Sequence, residues 1–299
     1  MATKQRNRGR RLSTRSSGPR HVEPVLDPNW QSPYVPSTAE RQINRDAVRR
    51  FAWRRRVPSM IAVGVVVVAL LASAVFEWWL ALVGVAVGVL FVWDSLRSFR
   101  ALERNGAGVG DELRDRLVEG GSPRDRQRLA TVVDRLSATF GVVGVAAVIV
   151  VDPGYNAALM RRDGGLVLYV TSAVLADFEL IELEGVVAHC LARQRLGLVE
   201  RECVAASVNL NDEARRALAG VGQCYRADEV AAAAIRYPLG LASALGHCAD
   251  QGIVSNSYFA TPDFTRTRWS WFNPFADRAV SNLSDLDDAR LRSLALQEW

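Results

Sequence analysis

Residues 57–93 read VPSMIAVGVVVVALLASAVFEWWLALVGVAVGVLFVW, an apolar run broken by one charge, Glu77. A single helix over that length would extend about 55 Å. A hydrocarbon core of roughly 30 Å is crossed by about 20 apolar residues. Two antiparallel arms turning at Glu77, Val57–Phe76 and Trp78–Trp93, fit that thickness better, so the stretch predicts a two-helix transmembrane hairpin. Trp78, Trp79 and Trp93 are its candidate anchors. Gly84 and Gly88 form a G-x-x-x-G face on which the arms can close. In a span this rich in Gly, Ala and Val the same spacing also arises by chance, and both readings stand.

The flanks set an orientation. Arg49, Arg50, Arg54, Arg55 and Arg56 precede the run, and Arg97, Arg100 and Arg104 follow it. Positive residues favour the cytoplasmic side, so the expectation is two spans in the inner membrane with both termini cytoplasmic. A cleaved signal peptide is disfavoured, because the apolar run begins too deep and is too long.

The net charge of +5 conceals a division. Residues 1–57 carry Lys4 and thirteen arginines against four acids, a net of +10, which leaves −5 for the remainder. Residues 1–39, rich in Arg, Ser and Pro without apolar periodicity, are expected to be a disordered basic tail. Its arginines read as solvation and a topology signal, or as attraction to anionic lipid; sparse aromatics disfavour nucleic acid. Residues 40–56 read as a basic interfacial helix anchored by Phe51 and Trp53, and 94–123 as a helix and linker. One lysine against 36 arginines suggests a high-GC bacterial genome. The four cysteines include no C-x-x-C pair and read as reduced, mostly buried thiols.

From 124 to 299 the pattern predicts an α+β domain dominated by helices, with a small sheet. Ser122-Pro123 opens an amphipathic helix with Leu129, Val132, Val133, Leu136 and Phe140 at helical spacing. Val143–Val151 and Leu166–Thr171 read as strands, the first closed by Asp152-Pro153-Gly154. Ala173–Leu196 reads as two helical pieces breaking near Phe178, and Ala227–Ala249 as helix interrupted at Pro238. FTRTRWSWFNPF at 264–275 has two readings, packing over the core or a cation–π partner surface.

Several ordered blocks resemble the HtpX-type membrane zinc metallopeptidases, relatives of the CAAX prenyl proteases. RDRQRLATVVDRLSATFGV resembles the family's first soluble helix, and VIVVDPGYNAALM its strand and Asn-Ala element, here Asn156-Ala157. LVLYVTSAVL and IELEGVVAHC resemble the approach to the active-site helix, ending at the first zinc histidine, His189. CYRAD resembles the downstream Glu-x-x-Ala-Asp element, and FNPFADRAVSNL the late His-Pro element. The resemblance implies a zincin-like domain after the hairpin.

In an H-E-x-x-H helix two histidines at i and i+4 bind zinc while the Glu serves as base. A third ligand leaves a position for water, whose pKa the metal lowers to ~7. Here the helix reads His189-Cys190-Leu191-Ala192-Arg193. By this resemblance Cys190 replaces the base, Arg193 the second histidine, Cys224 the third ligand and Asn273 the late histidine. Asp228 matches a supporting residue behind the ligands. A guanidinium stays protonated and cannot ligate a metal, so Arg193 is expected to substitute for the metal's charge and to pair with Asp228 or another buried carboxylate. His189 and Cys224 remain two possible ligands of a rearranged zinc site; otherwise no cofactor is expected. The expectation is a membrane-anchored homologue that has lost catalysis and acts in binding or regulation, with the lipid bilayer and membrane or protease proteins as partners. The rivals are an active metalloendopeptidase with a non-standard zinc site and a plain membrane scaffold.

Overall fold

A computed structural model of the chain describes residues 35–73, 84–90, 93, 108–162, 165–275 and 287–299. The first helix, α1 (Thr38–Ser73), is followed by α2 (Gly108–Arg116) and α3 (Pro123–Phe140). Strands β1 (Val145–Val150), β2 (Ala157–Arg162) and β3 (Gly165–Thr171) come next. The remaining helices are α4 (Ser172–Asp177), α5 (Leu180–Leu196), α6 (Leu198–Ser207), α7 (Asp212–Ala219), α8 (Gln223–Ile235), α9 (Pro238–Gln251), α10 (Pro262–Thr267) and α11 (Ala289–Gln297).

Local chemistry explains the principal elements. At α3, the Ser122 hydroxyl accepts from Asp125 N while the Asp125 carboxylate accepts from Ser122 N, a reciprocal cap with Pro123 at the first helical position. Its buried residues are the apolar stripe Leu129, Val132, Val133, Leu136 and Phe140. The sheet has the order β1-β3-β2. β1 runs parallel to β3 with Val145 opposite Leu166, and β2 runs antiparallel to it with Ala157 opposite Val170. Helix α5 lies beneath this sheet and is buried on nearly every side, Glu182, His189 and Arg193 among its buried residues. At Gly185 the helix α9 comes close: a Cβ there would sit 2.8 Å from Leu241 Cα.

The expectation of a transmembrane hairpin, with its two-span inner-membrane placement, is corrected. Among the described residues no helix is long and apolar enough to cross a membrane. The helix α1 does not begin at the apolar run but at Thr38, and its first half is charged. The turn at Glu77, with Trp78 and Trp79, lies outside the described residues. Residues 84–90 are helical, and a Cβ on Gly88 would collide with Val66 of α1; Trp93 is exposed.

Nor do residues 40–56 form a separate helix. It is the first half of α1, docked on the domain: Asn44 Nδ2 donates to Leu196 O at 2.7 Å, and Arg201 donates to Asn44 Oδ1 at 2.6 Å. Arg226 holds Glu40 at 2.9 Å. Val48 and Phe51 pack with Leu218 and Trp269, whereas Trp53 faces outward.

Candidate functional site

Five elements converge on the middle of α5. The helix itself presents His189, Cys190 and Arg193; α8 brings Cys224 and Asp228; α6 brings Glu202; α11 brings Arg292; and the segment from Trp269 to Asn273 closes over them. The five of these side chains other than the cysteines are charged or polar, and all are buried, His189 and Arg292 to 0% exposure and Arg193 to 2%.

Two hydrogen-bonded systems organise these groups. In the first, His189 Nδ1 lies 2.7 Å from Asp228 Oδ1. Arg292 donates to both oxygens of the same carboxylate, at 2.6 and 2.9 Å, and to Phe272 O at 2.8 Å. An ionised carboxylate only accepts, so the network assigns the imidazole proton to Nδ1 and leaves Nε2 with a bare lone pair. That Nε2 is buried and has no hydrogen-bond partner. The Phe272 ring meets the imidazole edge-on, with centroids 5.0 Å apart. Burial, reinforced by the Arg292 and Arg193 charges, outweighs Asp228 and pushes His189 down to about 4. Burial alone would raise Asp228, but Arg292 and His189 overcome it and hold the carboxyl below its usual range.

In the second system, Arg193 Nε donates to Glu202 Oε1 at 3.0 Å, and a terminal nitrogen lies 2.8 Å from the same oxygen. Its Nη1 donates to Trp271 O at 2.8 Å and its Nη2 to Trp269 O. Burial works against the Arg193 charge, yet Glu202 outweighs it and the pKa rises. Burial pushes Glu202 up, and Arg193 offsets this only in part. Glu202 Oε2 is left without a partner.

The carboxylate that Arg193 meets is therefore Glu202, while Asp228 belongs to His189 and Arg292. Asn156 joins neither system. Its Nδ2 donates to Asn273 O at 2.8 Å and its Oδ1 accepts from Asn273 N at 2.9 Å, which pins the closing segment to the start of β2. Asn273, at the late histidine position, faces this strand partner, and its Oδ1 accepts from Phe275 N at 3.0 Å. Cys190 and Cys224 are buried thiols that burial pushes up to about 12.

Does this donor set suit a zinc ion? A metal-binding thiol must be deprotonated and an imidazole must offer a free nitrogen. His189 meets that condition at Nε2 and is oriented by a carboxylate from behind, as metal-bound histidines are. The position four residues on is a permanent cation, locked to Glu202. Cys224 resists ionisation. Among the described residues no three His, Cys, Asp or Glu side chains group to hold a metal. The residues present do not fit the ion.

The closing segment also seals the sheet. Phe272 N donates to Ala157 O at 2.7 Å, and Ala158 pairs with Trp271 as an antiparallel bridge. Further along β2, a Cβ on Gly110 would lie 2.5 Å from Arg161 O. The β2 edge, where an extended peptide would add as a strand, is filled by the chain itself. Of the aromatic stretch, Phe264, Trp269, Trp271 and Phe272 are buried, and Trp269 has the Arg216 and Arg268 guanidiniums 5.1 and 5.4 Å from its ring.

Sequence reasoning missed Glu202 and Arg292, although each left a signal. The buried positions of α11 are Ala289, Arg292, Ser293 and Leu296, an i, i+3, i+4, i+7 stripe with an arginine inside it. Glu202 interrupts the stripe Leu198, Val199, Cys203 and Ala206 in the same way. A charge inside an apolar stripe requires a buried partner. No protein-family model matches the chain, and no curated protein matches it.

Proposed function

We propose that this domain is a non-catalytic relative of the HtpX-like metallopeptidases, in which two internal ion-pair systems occupy the place of a metal centre and the domain acts by binding. The observation that carries the reading is Arg193. It stands four residues after His189, on the same face of α5, and its guanidinium is held by Glu202 and by the carbonyls of Trp269 and Trp271. A fixed cation there repels a second cation and offers no lone pair. Cys190 stands in the position of the family's general base as a thiol that burial holds protonated. The filled β2 edge supports the same reading, because a substrate strand would have to displace the segment from Trp271 to Asn273.

What the site does instead is hold that segment. Arg193 takes the carbonyls of Trp269 and Trp271, Arg292 that of Phe272, and Asn156 that of Asn273. The test is metal content of the purified full chain, alongside hydrolysis of an unfolded protein. Zinc well below one per chain, unchanged in His189→Ala, with no cleavage above buffer, is the expected result. Stoichiometric zinc that His189→Ala abolishes would replace this reading with that of a metallopeptidase using a non-standard ligand set.

A further inference from the structure

The outer face of α1 is unaccounted for by the site. At about 100° per residue, the positions opposite the docked Asn44 and Val48 carry Arg49, Arg50 and Trp53 in the first half of the helix, all exposed. Arg45 and Arg54 flank them, also exposed. Beyond Val57 the same face becomes apolar, with Met60, Ile61, Val68 and Leu71 each more than half exposed. The helical residues 84–90 lie against this part of α1, and a wholly apolar cavity of about 330 Å³ opens between Val63, Val67, Val89 and Trp93. Soluble monomers rarely expose contiguous apolar patches beyond a few hundred Å², so this face requires a cover.

Charge selects the cover. Among the described residues, Asp46 lies 3.7 Å from Arg49 in an exposed pair that contributes little. A second copy laid alongside would set one arginine collar against another. An anionic lipid surface satisfies both ends of the face at once: headgroups meet the arginines, the tryptophan sits at the boundary, and the apolar end enters the acyl layer. We propose that α1 docks on an anionic phospholipid surface in this way, with the domain held beside it and without crossing the layer. This inference does not depend on the state of the α5 site.

The test is sedimentation of the full chain with vesicles of phosphatidylcholine alone or with phosphatidylglycerol added. Binding should require phosphatidylglycerol, weaken with salt, and fall tenfold or more in Arg49→Glu/Arg50→Glu/Arg54→Glu. Met60→Ser/Ile61→Ser/Leu71→Ser should abolish it while leaving the thermal transition of the domain in place. Equal binding to both vesicle types, or none, would overturn the proposal. So would retention through alkaline carbonate extraction, or a lipid-free dimer that the serine variant dissolves.

Discussion

Lowering the pH from 7.5 to 5 should destabilise the fold through His189. In the unfolded chain this imidazole titrates at its ordinary 6.5, while in the folded domain burial pushes it down to about 4. Between those values the unfolded state binds a proton that the folded state refuses, so stability rises with pH across that window and is lost as pH falls. Each pKa unit is worth about 1.4 kcal/mol. The loss should therefore reach about 2 kcal/mol at pH 5 and about 3 kcal/mol near pH 4, a large part of the 5–15 kcal/mol typical of a domain. Asp228 has the opposite kind of group but the same sign. Its depressed pKa stabilises the fold above the ordinary carboxylate range, so its share is lost only below about pH 4. Urea denaturation at half-unit intervals from pH 7.5 to 4.5 reads the slope, and His189→Gln should flatten it. Burial raises Glu202, which therefore works in the opposite direction as pH falls, so the slope is assigned by the His189→Gln variant, with His247→Gln as a control. A wild-type profile flat from pH 6.5 to 4.5, or a slope that persists in His189→Gln, would refute the assignment of a buried neutral imidazole.

Three other expectations follow from the same structure. Arg193→Met or Glu202→Leu alone should cost about 3–5 kcal/mol, because each strands a buried charge, whereas Arg193→Met/Glu202→Leu should recover most of that loss; thermal unfolding of the four-member cycle measures it. All four thiols are buried, with burial pushing each up to about 12, so Ellman's reagent should titrate none in the native protein at pH 8 and four in guanidinium. Gly185→Ala should destabilise by about 1–3 kcal/mol, since a Cβ there would lie 2.8 Å from Leu241 Cα and push α5 from α9; the urea midpoint checks it.

How much of this could be read beforehand depends on which force shapes each element. Where local chemistry dominates, the sequence was legible. Ser122-Pro123 starts α3, the chain breaks at Phe178 between α4 and α5, and Pro238 begins α9. The β-branched runs became β1 and β3. Strand β2 was not legible, because AALMRR has neither alternation nor β-branched residues and is a strand only because β3 lies beside it. The transmembrane reading erred for a related reason. Hydropathy registers an apolar run but not where its helix begins, and α1 begins in charged residues that Asn44 and Glu40 tie to the domain. At the site, His189, Arg193 and Asp228 were picked out by the family resemblance of their segments. Their partners were not, because Glu202 and Arg292 reach them from helices that no local rule connects to α5.

On the proposed reading, that distribution of partners bears on whether the site could reach metal binding by small steps. The buried groups balance: Arg193 against Glu202, Arg292 against Asp228, and a neutral His189 between them. Replacing Arg193 by histidine alone would restore a ligand type but leave Glu202 buried with neither oxygen paired, which costs about as much as breaking any buried ion pair. It would also release the carbonyls of Trp269 and Trp271, and each buried acceptor left unsatisfied adds about 1–3 kcal/mol. Removing Glu202 first would strand Arg193. Each single reversal thus lies uphill, and only a concerted change at Arg193, Glu202 and Cys224 would meet a dication with compensating charge. The arginine is more than a lost ligand. Through Glu202 and the closing segment it has become part of what holds α5, α6 and the β2 edge together, so the fold itself now selects against the chemistry that its spacing resembles.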